Sequence, residues 1–199
     1  MKELLKELEN ILIKKENPIV NYLQETEIFQ EKDFIEVLEN LKLKPLQELN
    51  DIYSWRVGLR GDLAFSLDFK FSIFSFGNFI DYKSTSSLFI LDKNTNKSFS
   101  PKGFLPIIYN GIIEDPVLID LNKKSSTYGQ IFYYSTNVTM SDEPVPIYDS
   151  LKKMIITICE CYNEDVYSIE TDGKLVWDNK RESIISKKNN SKSKSSFWD

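Results

Sequence analysis

The chain has 199 residues, 41% hydrophobic and 13% aromatic, which is enough for one buried core and too apolar for wholesale disorder. It contains no histidine, which removes the commonest general base, every Ser-His or Cys-His nucleophile and the commonest zinc ligand. The formal net charge of −5 is uneven: residues 180–199 carry six basic and two acidic side chains, leaving residues 1–179 with 19 and 28. Such an acidic body repels nucleic-acid phosphate and attracts basic partners, and it serves solubility equally well.

In chain order, Leu4, Leu8, Ile11 and Leu12 share one face of residues 2–15, predicting an amphipathic helix that ends before Pro18. Charge interrupts this N-terminus throughout, so it does not read as a secretory leader. Phe34, Ile35, Leu38 and Leu41 predict a second helix at about 31–42. A third, 46–55, starts after Pro45 and is stopped by Gly58.

The period then changes. Leu63, Phe65, Leu67, Phe69, Phe71 and Ile73 alternate with smaller or polar residues, which predicts a strand over 63–73 with a bulge or turn near Ile73–Phe74. Ser86–Asp92 reads as another short strand, followed by a loop over 93–102. Strands at about 104–109, 116–121 and 129–135 form a meander. Asn110–Gly111 supplies a tight connection, Pro106 and Pro116 lie near strand starts, and Glu114 and Asp115 sit on the connecting loop.

After Pro144 and Pro146, a broad apolar arc from Ile147 to Tyr162 predicts a helix at about 147–162 lying against the sheet. Asp172–Gly173 turns the chain into an edge strand, 174–177. From Lys187, KKNNSKSKSSFWD has the composition of a disordered tail, in which Phe197 and Trp198 read as a frayed end. The expected organisation is one domain over 1–186, helical to about 58 and sheet plus closing helix from 59, with a tail over 187–199. Its class is α+β, with a mostly antiparallel sheet, N-terminal helices and a C-terminal helix packed around it. The longest uncharged stretch, Ser125–Ser141, is rich in Ser, Thr and Asn, so no membrane span is expected.

Little in the chain points to catalysis. Cys159 and Cys161 are too few for a structural zinc site, and at i and i+2 on a helix they point about 200° apart. They read as packing residues, and two cysteines suit a reduced cytoplasm. No glycine-rich phosphate loop occurs, and Arg56–Gly61 is explained by a helix end closed with glycine. Glu114, Asp115 and Asp120 do not have the spacing of a calcium loop. A carboxylate-based enzyme needs acids converging in one cleft, which no motif indicates. No cofactor or metal is expected.

Four segments do form an ordered pattern. They are Pro45–Gly58, ending in Tyr-x-Trp-x-x-Gly; Phe104-Leu105-Pro106-Ile107; Val117-Leu118-Ile119-Asp120-Leu121 with Tyr128-Gly129-Gln130-Ile131; and Tyr148-Asp149-Ser150-Leu151 with Asp172-Gly173-Lys174-Leu175. In order and spacing the pattern resembles the SUKH superfamily, in the branch typified by the fungal cell-wall assembly regulator, over roughly residues 30–180. Val57 stands where that branch has Asn, and Lys44 where it has Leu. The resemblance implies an α+β fold and a non-enzymatic protein-binding role. In bacteria this is usually an immunity protein that neutralises a toxin, often a nuclease; elsewhere it is a regulatory module with an endogenous partner. Trp55, Gly58, Pro106, Asp120 and Gly129 match motif positions and are expected to be structural. A basic toxin domain would be met by acids, for which Glu114, Asp115, Asp142, Glu143, Glu160, Glu164 and Asp165 are the candidates.

Overall fold

The computed structural model describes residues 1–23, 29–59, 61–64, 66, 70–94, 102–109, 115–140, 143–191 and 196–198. It is α+β: a five-stranded antiparallel sheet, a two-stranded hairpin, and helices packed around them. The expected N-terminal helices form as α1 (Lys2–Lys14), α3 (Glu31–Asn40) and α4 (Gln47–Trp55), with a short α2 (Ile19–Tyr22) between the first two. Leu5, Leu8, Ile11 and Leu12 are buried on α1, as a stripe of helical period requires.

The sheet follows chain order: β1 (Asn78–Phe79), β2 (Phe104–Tyr109), β3 (Val117–Asp120), β4 (Ile131–Tyr133) and β5 (Val145–Tyr148). Leu105 pairs with Ile119, Ile119 with Ile131 and Ile131 with Tyr148, so one row of side chains crosses four strands toward the helices. On the other face Leu118 and Phe132 form a small second cluster with Phe104 and Tyr134. The Phe104 and Phe132 rings meet edge to face with centroids 4.8 Å apart. The β2–β3 register shifts between Pro106 and Ile108, and Pro146 lies on the edge strand; proline has no N–H for the ladder, and a bulge or an edge tolerates that loss.

Four expectations are corrected. Residues 63–73 hold no strand among those described: Gly61–Ala64 is a short helix, α5, while residues 65 and 67–69 lie outside the described set. Downstream, the Asn78 side chain takes the place of a ladder. Its amide donates to the Phe71 carbonyl (2.7 Å) and its oxygen accepts from the Ile73 N–H (2.9 Å). The expected turn does occur, closed by Gly77 N–H on the Phe74 carbonyl (2.9 Å).

Ser86–Asp92 belongs to a helix, α6 (Tyr82–Asn94). Asp81 opens it by accepting from the Lys83 and Ser84 N–H groups, both at 3.0 Å, and Ser86 and Ser87 donate back to carbonyls four residues earlier. Residues 95–101 of the expected following loop lie outside the described set.

After a one-turn helix, α7 (Thr136–Thr139), the helix expected from 147 divides into β5 and α8 (Leu151–Asn163). Ser150 separates them, its hydroxyl accepting from the Lys153 N–H (3.2 Å) as an N-cap. Ile147 and Tyr148 are buried either way, so the apolar arc does not distinguish strand from helix here. Finally, the tail expected from Lys187 begins inside α9 (Asn179–Asn189), Asn190 is buried, and Ser196–Trp198 forms a 3-10 turn with Trp198 only 7% exposed. The predicted Asp172–Gly173 turn joins β6 (Tyr167–Ile169) to β7 (Leu175–Trp177).

α8 packs on α1, α4, α9, β5 and β6 and is the central helix of the core. Its Tyr162 hydroxyl donates to the Ile73 carbonyl (2.7 Å) and accepts from the Asn17 amide (2.9 Å), which also donates to the Ser72 carbonyl. This buried node ties the N-terminus to the loop before β1. None of the helices, over the described residues, is long and apolar enough to cross a membrane.

Candidate functional site

The motif positions organise the fold. Asp120, at the end of β3, is 1% exposed and accepts from the Asn122 N–H (2.9 Å) and the Thr127 hydroxyl (2.6 Å). Its carbonyl accepts from Gly129 N–H (2.8 Å), and Gly129 holds φ +86°. Asp120 thus closes the β3–β4 loop on itself and is spent as an acceptor. Tyr128 in that loop donates to the Pro45 carbonyl (2.7 Å), so two motif segments distant in sequence touch at the start of α4.

At the other end of α4, the Trp55 indole donates to Glu9 (2.9 Å), and Arg56 pairs with the same carboxylate. Gly58 follows at φ +100°, where a Cβ would stand 2.6 Å from the Ile80 carbonyl carbon and oxygen. Only glycine fits there. Pro106 lies buried in β2.

The acidic candidates do not gather into one site. Glu114 and Asp142 lie outside the described residues. Asp115 precedes β3 and helps raise the pKa of Tyr133, after burial. Glu143 is exposed and pairs with Lys102. Glu160, Glu164 and Asp165 cluster at the end of α8, but side chains of the same chain already engage the carboxylates of Glu160 and Asp165. Lys188 and Asn189 of α9 bind Glu160, Lys15 of α1 binds Asp165, and Arg181 donates to the Glu164 and Asp165 carbonyls. Burial would raise Glu160, but these hydrogen bonds outweigh it and hold the carboxyl below its usual range; the Lys15 hydrogen bond does the same for Asp165. Part of the charge asymmetry of the sequence is therefore met internally, Lys188 of basic α9 pairing with Glu160 near the end of α8.

Cys159 and Cys161 are both buried and unbonded, and burial pushes each thiol up to about 12. A thiol so far above neutrality is neither a nucleophile nor a ready metal ligand.

A different feature has the form of a binding site. Beside α9 a cavity of about 850 Å³ is walled by Phe76, Tyr133, Trp177, Phe197 and Trp198, with Glu182 and Ser75 also lining it. Glu182 is 3% exposed. The hydroxyls of Ser75 and Tyr167 both donate to its Oε1. Burial raises its pKa, and the two hydroxyls oppose that rise. Burial, then the Glu182 charge, likewise pushes the Tyr167 and Tyr148 phenols far up. Sequence reasoning missed Glu182 because it lies in a polar stretch without apolar period, NKRESIISKKN, where a glutamate looks solvent-facing. No protein-family model matches the chain, and no curated protein matches it.

Proposed function

We propose that the chain is a non-enzymatic protein-binding module of the cytoplasm: an immunity protein that binds and neutralises a cognate toxin of a bacterial polymorphic toxin system, a nuclease being the favoured class. The observation that carries this reading is the ordered set of SUKH-like motifs. In the α+β fold these segments lie on α4, β2, β3, the β3–β4 loop with the first residue of β4, the β5–α8 junction and the β6–β7 turn, and the motif residues described above act in packing and loop closure.

The acidic body supplies the physical means. A nuclease that grips phosphate is basic at its active face, and an acidic partner gains association rate there by steering and excludes nucleic acid once bound. Glu164, exposed and meeting Arg181 through its carbonyl rather than its carboxylate, is the described candidate acid at which such contact is open to test.

Co-expression with the protein encoded immediately upstream tests the proposal. The neighbour alone is expected to be lethal and the pair viable, and the association rate is expected to fall steeply with salt. A harmless neighbour, or one that stays lethal beside this chain, rejects the immunity role and favours a regulatory module with an endogenous partner.

A further inference from the structure

The cavity beside α9 is within the usual size range of small-ligand sites. Two of its features bear on what it accepts. First, Ser75 and Tyr167 both use Oε1 of Glu182, and Oε2 takes no hydrogen bond among the described residues. A carboxylate 3% exposed with an open acceptor gains most from a donor that also carries positive charge. Second, the walls are aromatic faces and edges from four separate segments: Phe76, Tyr133, Trp177 and the pair Phe197–Trp198. Such walls favour a cation and shelter an apolar body.

Lys180 and Lys187 are exposed and line the opening. Hydrated and screened, they act weakly beside a desolvated carboxylate, but they disfavour positive charge at the mouth. Trp177 (42% exposed) and Ile184 (60% exposed) offer apolar contact at that level.

We infer that this cavity binds an organic cation, an ammonium or guanidinium on an apolar body, with the head against Glu182 Oε2 and the body against Trp177 and Ile184. An anion would be drawn to the lysines but would bring like charge toward Glu182. A bare metal ion would find one carboxylate oxygen and no further acidic side chain among the described residues of the lining. The inference does not depend on the toxin reading.

The test is a calorimetric titration of the full chain with three isosteres: phenethylamine, 2-phenylethanol and phenylacetate. Phenethylamine is expected to bind about tenfold or more tightly than the neutral alcohol, and phenylacetate not at all. Glu182→Gln keeps an acceptor for Ser75 and Tyr167 and is expected to weaken the amine about tenfold while leaving the alcohol unchanged. Trp177→Ala, at a position 42% exposed, is expected to weaken both. N-acetyl-arginine amide separates the sources: tighter binding than phenethylamine assigns the site to a partner's side chain, and weaker binding assigns it to a free amine. Equal binding of amine and alcohol, preference for phenylacetate, absence of binding by every probe, or an unchanged affinity in Glu182→Gln overturns the inference.

Discussion

Glu182 places a carboxyl in the interior, where burial raises its pKa and two hydroxyls partly offset the rise. Its folded value exceeds the unfolded one, so the native state holds the proton more tightly. The stability it contributes is therefore present at low pH and is lost as pH rises from about 4.3 through the folded value. Asp165 and Glu160 have depressed values and act in the opposite sense, losing stability as pH falls. Glu182→Gln removes the ionisation and retains the acceptor. The stability gap between variant and wild type is expected to shift in favour of Gln as pH rises over this window, measured as urea midpoints from about pH 4 to 8. A gap independent of pH would mean that Glu182 does not titrate there.

At the scale of elements, helix starts decide much of the architecture. Asp178 accepts from the Lys180 and Arg181 N–H groups at 3.0 and 3.1 Å and so opens α9, whose own sequence has little amphipathic signal. Without that cap, α9 keeps only its tertiary contacts. Asp178→Ala is expected to lower unfolding free energy by about 1 kcal/mol, with earlier amide exchange in α9 than in α8. Ser150 does the same for α8 and Asp81 for α6. The two errors of element type in these regions both come from reading apolar residues without weighing the capping residue beside them. Ile147, Tyr148 and the apolar residues of α8 form one continuous buried set, and the Ser150 cap and the pairing of β5 with β4 divide it.

For the molecule as a whole, the Ser196–Trp198 turn closes one edge of the sheet. β5 is an outer strand, and the Trp198 indole donates to the Ile147 carbonyl (2.9 Å) while its ring packs on Tyr148 and Phe76. The Ser183 hydroxyl donates to the Trp198 carbonyl, linking α9 to the same turn. An outer strand covered in this way is less open to pairing with another chain. Trp198→Ala is expected to cost about 3 kcal/mol in urea unfolding, a core-sized loss rather than the negligible one of a frayed terminus. Basic α9 acts at the same scale: by binding Glu160 and the carbonyls that end α8, it lessens the acidity that residues 1–179 would otherwise present.

What the amino-acid order determined by itself is local. The helices at 2–14, 31–40 and 47–55, the meander of β2 to β4 and the turn at Asp172–Gly173 into β7 follow from apolar period and turn residues, which act over a few positions. The absence of histidine and the separation of the two cysteines were equally legible, as was the structural use of Gly58 and Asp120. Tertiary structure decided whatever needed a partner distant in sequence. Asn78 satisfied the backbone that alternation had assigned to a strand, and Lys188 of basic α9 met Glu160 of α8. Ser75, Tyr167 and Glu182 converged from positions up to 107 residues apart, and Trp198 found the edge of β5. Burial and charge pairing belong to three-dimensional neighbours, and a one-dimensional pattern carries no record of them.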